Sequence, residues 1–231
     1  MKLLIVRPQP GADASAKRVR EVGFEPLVMP LFAIEPVAWT APEPAAYDAL
    51  LMTSGNAVRM AGPQLPDLAA LPIYAVGAGT ADALTKADLG IAATGTSGVD
   101  DILGIAETAG HRNLLWLAGE DRTHAQPPEG MMLNVRIVYR SVAKAAPPGL
   151  AESITTTDAV LLHSARAARH FSHQSESLGI DRADIVIAVL SAKIAEAAGT
   201  GWLAVAVAEK PNDISLLSAL QSHFTTPSRD P

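Results

Sequence analysis

Two stretches of this chain, 110 positions apart, read alike. Asp48-Ala-Leu-Leu-Met-Thr-Ser-Gly-Asn-Ala-Val-Arg59 lies over Asp158-Ala-Val-Leu-Leu-His-Ser-Ala-Arg-Ala-Ala-Arg169, with Asp, Ala, Leu, Ser, Ala and Arg identical. Further on, Ala75-Val-Gly-Ala-Gly-Thr80 lies over Ala188-Val-Leu-Ser-Ala-Lys193, and Asp100 over Asp213, both at an offset of 113. Each copy spells an apolar run, a Ser turn, a helical pattern, an apolar run, a small-residue turn, a helical pattern, a third apolar run and an acidic turn into a helix. Self-similarity over a whole series of elements means that the unit itself is duplicated, so the chain is expected to fold as two related α/β domains.

The apolar runs place strands at 2–6, 25–29, 49–52, 73–76, 113–117, 134–139, 159–163, 185–189 and 203–207, with helices at 12–22, 56–61, 79–88, 99–108, 166–178, 192–198 and 213–221. Continuous apolar strands are buried on both faces, and their alternation with helices implies parallel, helix-flanked sheets. The expected class is therefore α/β, with flavodoxin-like parallel sheets. The second repeat has no strand-helix-strand opening of its own within 145–157, so residues 1–33 are expected to supply it. That makes one domain discontinuous and sends the chain across twice. Prolines mark both crossings: Pro30, Pro36, Pro42 and Pro44 at the first, Pro147 and Pro148 at the second. Proline cannot donate to an interior ladder and belongs in linkers or edge strands. The expected division is an outer domain of 1–33 plus 144–231, an inserted domain of 40–137, and a two-stranded linker of 34–39 and 138–143. The tail from Thr225 to Pro231 is expected to be disordered or a surface extension.

Composition narrows the chemistry. The 231 residues include no cysteine, which removes disulfides, thiolate nucleophiles and cysteine-held metal centres. Eighteen basic against twenty-four acidic side chains give a net charge of −6, and aromatic residues make up 4 %. That balance argues against nucleic acid and anionic membrane as partners, and means that an anionic ligand must be met by local basic groups. The opening apolar run is four residues, 3–6, too short for a signal-peptide core, and no apolar stretch approaches the roughly 20 residues of a membrane helix. A soluble, cytoplasmic protein is expected.

In open parallel sheets, ligands bind outside the carboxyl ends of the strands, where helix N-termini favour anions. Four turns fall there: Thr53-Ser-Gly-Asn56, Gly77-Ala-Gly-Thr80, His163-Ser-Ala-Arg166 and Leu190-Ser-Ala-Lys193. Ser54, Thr80 and Ser164 read equally as ligand contacts or as helix N-caps. Gly77-Ala-Gly-Thr-Ala-Asp82 lacks the last glycine of a dinucleotide fingerprint. Arg122, in Gly119-Glu-Asp-Arg122, reads as a cleft residue or a solvated loop charge. Tyr139 ends a strand at the second crossing, where a phenol is either a weak acid and donor or an ordinary half-buried side chain. Metal and nucleophile readings fare worse. His170, His173 and Glu176 read better as an exposed helix face than as ligands, and His163 and Ser164, as strand neighbours, point to opposite faces.

The ordered motifs resemble the uroporphyrinogen-III synthase family. They are Val6-Arg-Pro8, Gly23-Phe-Glu-Pro-Leu-Val-Met-Pro-Leu31 with Ile34 and Pro36, the segment from Asp48 to Val58, Ala75-Val-Gly-Ala-Gly-Thr-Ala81, Gly119-Glu-Asp-Arg122, Val138-Tyr139, the segment from Asp158 to Ser164, Leu190-Ser191, Ala208-Glu-Lys-Pro211 and Leu216-Leu217. The resemblance covers nearly the whole chain. It implies a lyase without metal or cofactor, acting as a cytoplasmic monomer, that closes linear hydroxymethylbilane to uroporphyrinogen III with loss of water and inversion of ring D. It implies that Thr53, Ser54, Thr80, Tyr139 and Ser164 line the cleft, with Tyr139 assisting departure of the hydroxyl, and it suggests Arg7, Arg122, Arg166 and Lys193 as partners of the substrate's carboxylates. The chain departs from some members in having Asn56 where they have Arg, and Leu190-Ser-Ala-Lys193 where others have Gly and Thr. A binding module without chemistry, or a family member that has lost activity, stands as the alternative.

Overall fold

Asp48 and Asp158, the first residues of the two repeats, do the same work. The Asp48 carboxylate accepts the backbone N–H groups of Arg112 and Asn113 at 2.7 and 2.8 Å, and that of Asp158 accepts the N–H of Lys2 at 2.6 Å. Each pins the start of the neighbouring parallel strand, where the ladder leaves donors unpaired. The computed structural model describes residues 1–122 and 124–225.

The chain forms two compact units, one of Met1–Ala33 with the described residues from Ala143 onward, the other of Ile34–Val142. The first unit contains β1 (Lys2–Ile5), α1 (Gly11–Glu21) and β2 (Glu25–Val28), after which β3 (Phe32–Pro36) leads out of it. The second runs β4 (Ala49–Met52), α2 (Gly55–Met60), β5 (Ile73–Val76), α3 (Ala78–Lys86), β6 (Ala93–Gly95), α4 (Val99–Thr108), β7 (Asn113–Gly119) and β8 (Met132–Ala143). The chain then completes the first unit with α5 (Leu150–Thr155), β9 (Ala159–Leu162), α6 (Ala165–Ser177), β10 (Val186–Val189), α7 (Ala192–Ala198), β11 (Ala204–Val207) and α8 (Asp213–Thr225).

The strand orders are β2-β1-β9-β10-β11 and β3-β8-β7-β4-β5-β6. Apart from the edge strand β3, the two sheets correspond position by position: β2 to β8, β1 to β7, β9 to β4, β10 to β5, β11 to β6. Strand β1 pairs in parallel with β2 and β9, and β10 with β9 and β11; in the other sheet β4 pairs in parallel with β5 and β7, β5 with β6, and β7 with β8. The α/β class with parallel sheets is therefore as the repeat predicts.

Successive strand residues serve opposite faces. In the first unit Leu4, Val160 and Ile187 pack with Phe171 and Ile194, while Leu3, Leu161 and Ala188 pack with Val19 and Leu217. In the second, Leu50, Leu115 and Ala75 face α2 and α3, while Leu51, Leu114 and Trp116 face α4. Here the units differ. Between β1 and β2 lies α1, but between the equivalent β7 and β8 lies a segment whose described residues form no helix and whose Ala125 and Met131 join the core beside Trp116.

Several elements depart from expectation. Strand β6, Ala-Thr-Gly, has no apolar run to announce it, and α5, with only Leu150 and Ile154 buried, is too short to show a period. Strand β8 spans twelve residues rather than six, because its half-buried pattern with Asn134 and Arg136 hides its ends. At the edge, Pro36 closes β3, where the missing donor costs nothing. Helix α8 extends to Thr225, which the expected tail included; the remainder of that tail lies outside the described residues.

Candidate functional site

The carboxyl ends of β4, β5, β6 and β7 open onto a cavity of about 260 Å³, lined by Thr53, Ser54, Val76, Gly98, Val99, Trp116, Gly119, Asp121, Arg122 and Tyr139. Four residues singled out from sequence, Thr53, Ser54, Arg122 and Tyr139, thus share one pocket within the second unit. Each arrives by a different device. Thr53 follows β4 and its hydroxyl accepts the indole N–H of Trp116 at 3.2 Å, which fixes both side chains. The Ser54 hydroxyl accepts the N–H of Asn56 at 3.1 Å and caps α2. The N-cap reading of Ser54 holds, and the capping oxygen keeps its own proton to donate elsewhere. The Arg122 guanidinium lies 5.9 Å from the centroid of the Trp116 ring, within cation–π range.

Tyr139 is aimed by an irregularity. The β7–β8 register shifts between Ala118 and Gly119, so that Gly119 pairs with Tyr139, whose carbonyl accepts the N–H of Glu120 at 2.9 Å. Bulges of this kind re-aim side chains beside sites. The phenol lies so close over Gly119 that a Cβ there would stand 2.5 Å from its Cζ and 2.7 Å from its oxygen.

Arg59 was not singled out from sequence, yet it belongs to this neighbourhood. Its guanidinium donates to the side-chain oxygen of Asn56 at 2.7 Å. Burial lowers its pKa while the nearby Tyr139 opposes that effect. A guanidinium thus stands beside Asn56, supplied from one turn further along α2. The signal was present: Arg59 is one of the six identities between the repeats. Trp116 carried none beyond lying in an apolar strand.

Thr80 is placed elsewhere. It is 4 % exposed inside α3 and does not line the cavity. It is not an N-cap either: Gly77, at φ +76°, caps α3, and Thr80 donates its N–H to the Gly77 carbonyl at 3.1 Å. Only a glycine reaches that φ without strain, so the helix begins before the threonine.

The remaining candidates lie in the first unit. Ser164 caps α6, accepting the N–H of Ala167 at 3.1 Å. Arg166 is exposed with its guanidinium carbon 5.2 Å from the centroid of Phe32, and Lys193 is exposed in the first turn of α7. Ser191 caps α7 by position, without a side-chain hydrogen bond. Arg7 follows β1 and joins a mostly buried polar group that sequence reasoning did not assemble: Ser15 on α1, His163 after β9, and Asp213 opening α8. Asp213 accepts from Ser15 at 2.9 Å, from Arg18 at 2.9 Å and from His163 Nε2 at 2.8 Å. Burial works to raise the Asp213 carboxyl, but the bonds from His163 and Ser15 and the Arg7 charge outweigh it and bring it to about 2. Burial pushes the His163 pKa down, leaving the ring neutral. The three side chains do not form a nucleophilic triad. Ser15 Oγ and Asp213 both approach the same nitrogen, Nε2, at 3.4 and 2.8 Å, whereas a triad places them on opposite ring nitrogens.

The two histidines of α6 are engaged separately. His170 bonds the Lys144 carbonyl at 2.9 Å and His173 the Ser177 hydroxyl at 2.9 Å, while Glu176 pairs with Arg182. Among the described residues no group of His, Asp and Glu could hold a metal ion.

Residues 13–218 match the family described as Uroporphyrinogen-III synthase HemD. The chain belongs to the uroporphyrinogen-III synthase family. It is a lyase-type cyclase of tetrapyrrole and haem biosynthesis, closing hydroxymethylbilane to uroporphyrinogen III with loss of water and inversion of ring D. Among solved structures the chain is similar to a mutant uroporphyrinogen III synthase from the extreme thermophile Thermus thermophilus, with 20 % identity over 96 % of this chain and 99 % of that one and a TM-score of 0.48. The wild-type enzyme of that bacterium shows 21 % identity over 97 % and 100 % of the two chains, with a TM-score of 0.42. No curated protein sequence matches. No helix among the described residues is long and apolar enough to cross a membrane.

Proposed function

We propose that the cavity under Tyr139 receives the hydroxymethyl end of hydroxymethylbilane and that Tyr139 is the donor that assists departure of the hydroxyl. The observation that carries this reading is the gathering of Thr53, Ser54, Arg122 and Tyr139 around one opening of about 260 Å³, a size suited to one substituted pyrrole ring. The phenol donates to the leaving oxygen. Loss of water leaves an electrophilic methylene conjugated with its ring. The substituted carbon of ring D attacks this methylene, and the resulting spiro centre breaks its old bond to the neighbouring ring and re-forms it at the free carbon. A proton is then lost, so the sum is substrate to product plus water.

Catalysis in this reading is chiefly positioning. The linear substrate is a polycarboxylate that closes unaided to the wrong isomer, so the protein must fix which carbon of ring D attacks. Arg122, the hydroxyls of Thr53 and Ser54 and the N–H groups opening α2 suit carboxylates in the second unit. Ser164, Arg166, Lys193 and Arg7 suit them in the first. Thr80, enclosed in α3, is left with a role in holding the 77–80 turn. The enzyme works in this reading as a cytoplasmic monomer, without nucleic acid, metal or cofactor.

The test is direct. The protein is incubated with hydroxymethylbilane made enzymatically in place, and isomers I and III are separated by chromatography. Isomer III in excess is expected; isomer I alone would remove the assignment.

A further inference from the structure

Arg7 is held more elaborately than a surface arginine. Two residues beyond β1, its guanidinium lies against the backbone of Gly11, where a Cβ would stand 2.6 Å from Nε and 2.8 Å from Cζ and Nη2. Its Nη1 donates to Ser15 Oγ at 3.2 Å and lies 3.9 Å from Asp213 Oδ1. Ser15 is 1 % and Asp213 8 % exposed, yet 33 % of the Arg7 side chain is open to solvent. Among the described residues no protein acceptor reaches Nε or Nη2. One edge of the guanidinium is therefore clamped and another left bare, at the carboxyl end of a parallel strand where ligands collect.

The charges do not cancel. Asp213 contributes −1 and faces two guanidinium groups, Arg7 and Arg18, while the buried His163 is neutral, so the group carries about one net positive charge. The desolvation that lowers the Arg7 pKa also makes an incoming anion more valuable to it, because a partly buried guanidinium has lost water it could exchange for a carboxylate. A guanidinium fork fits a carboxylate in two parallel bonds only if its plane is fixed; the Gly11 floor and the Ser15 hydroxyl fix it, and Asp213 holds that hydroxyl at 2.9 Å while its charge lies 3.9 Å from Nη1.

We infer that Arg7 binds a carboxylate of the substrate and that Asp213, with Ser15, is a positioning group which acts through Arg7. This rests on the function proposed above, but its failure is distinguishable from failure of that function. Wild-type protein is assayed first for isomer III. Then KM and kcat for hydroxymethylbilane are measured for Arg7→Gln, Asp213→Asn, Ser15→Ala and the double variant Arg7→Gln/Asp213→Asn, with thermal melts of each. In parallel, binding of uroporphyrin III is followed by fluorescence, which needs no turnover.

The expected result for Arg7→Gln is a KM and a porphyrin Kd raised about tenfold, with kcat changed less than twofold. Asp213→Asn is expected to reproduce most of that rise, Ser15→Ala a smaller part, and the double variant to be no worse than Arg7→Gln alone. If Asp213→Asn does not fold, Asp213→Glu and Ser15→Ala carry the comparison. Active wild type with an unchanged KM and Kd in Arg7→Gln would overturn the inference while leaving the function intact. Multiplied effects in the double variant would show that Asp213 acts by a route other than Arg7, and overturn it equally.

Discussion

The α-carbon of Gly119 is the floor on which the Tyr139 phenol lies, with no room for even one methyl group between them. The bulge between Ala118 and Gly119 makes the two residues a pair in the β7–β8 ladder. Gly119→Ala must therefore push the ring aside or open the end of the β7–β8 ladder. Formation of isomer III by this variant is expected to fall tenfold or more while its far-ultraviolet circular dichroism stays native. A wild-type rate would show that the position of the ring does not matter.

Tyr139→Phe keeps the ring and removes the donor. If the phenol assists departure of the hydroxyl, kcat is expected to drop by about 10² to 10³, in line with the usual share of general acid catalysis, with KM little changed. Single-turnover kinetics with preformed hydroxymethylbilane separates that effect from binding. An unchanged rate and isomer ratio would take Tyr139 out of the mechanism.

Trp116→Phe removes the N–H that the Thr53 hydroxyl accepts at 3.2 Å and weakens the ring under Arg122. Both partners then lose their fixed orientation. A several-fold increase in KM is expected, with a stability loss of about 1 kcal/mol from the hydrogen bond, read from urea denaturation of the same samples.

The pH response of stability follows from two depressed pKa values. In the folded protein Asp213, faced by His163, Ser15, Arg7 and Arg18, sits near 2 rather than 3.8, and His163 lies below 6.5. A folded form that resists protonation gives stability that is present above the unfolded-state values and lost as pH falls. The loss from His163 begins as pH drops below about 6.5, and that from Asp213 develops between about 4 and 2. The Asp213 share is on the order of 1 to 2 kcal/mol once solvent screening is allowed for. Thermal melts across pH 2 to 8 are expected to show Asp213→Asn with a flatter acid limb than wild type; parallel limbs would contradict the assignment.

Asp48 and Asp158 offer a matched pair. Hydrogen bonds from the N–H groups of Arg112 and Asn113 hold the Asp48 carboxyl below its ordinary range. Replacing either aspartate by alanine leaves strand-end donors without their acceptor and is expected to cost about 1 to 2 kcal/mol. The two effects should add, since the pair share no partner. Chemical denaturation of the single and double variants checks this.

The class of the fold and the kind of place where ligands meet it are legible along the chain. Apolar runs such as Leu3 to Val6 and Ala159 to Leu162 have no amphipathic alternation, so they had to be parallel and covered on both faces, and the identities between Asp48 to Arg59 and Asp158 to Arg169 required the unit to be doubled. Once strands are parallel, their carboxyl ends and the turns after them follow, which is why Thr53, Ser54 and Arg122 could be named in advance; Tyr139, named from its place at the second crossing and from the family resemblance, is found around the same cavity. Short elements stayed hidden because β6 and α5 bury too few residues to leave a period.

Which of those side chains face one another is settled by packing. Thr80 occupies a turn as promising as that of Ser54, but the left-handed Gly77 starts its helix early and the threonine is enclosed. Ser15, His163 and Asp213 are 148 and 198 positions apart from first to second and first to third, and no local pattern links them. They meet because β1 and β9 are neighbours in one sheet and α1 and α8 cover the same face of it. Hydrophobic periodicity acts over a few residues and is written along the chain. The pairing of distant polar groups depends on sheet order and helix placement, which the chain acquires only when it packs.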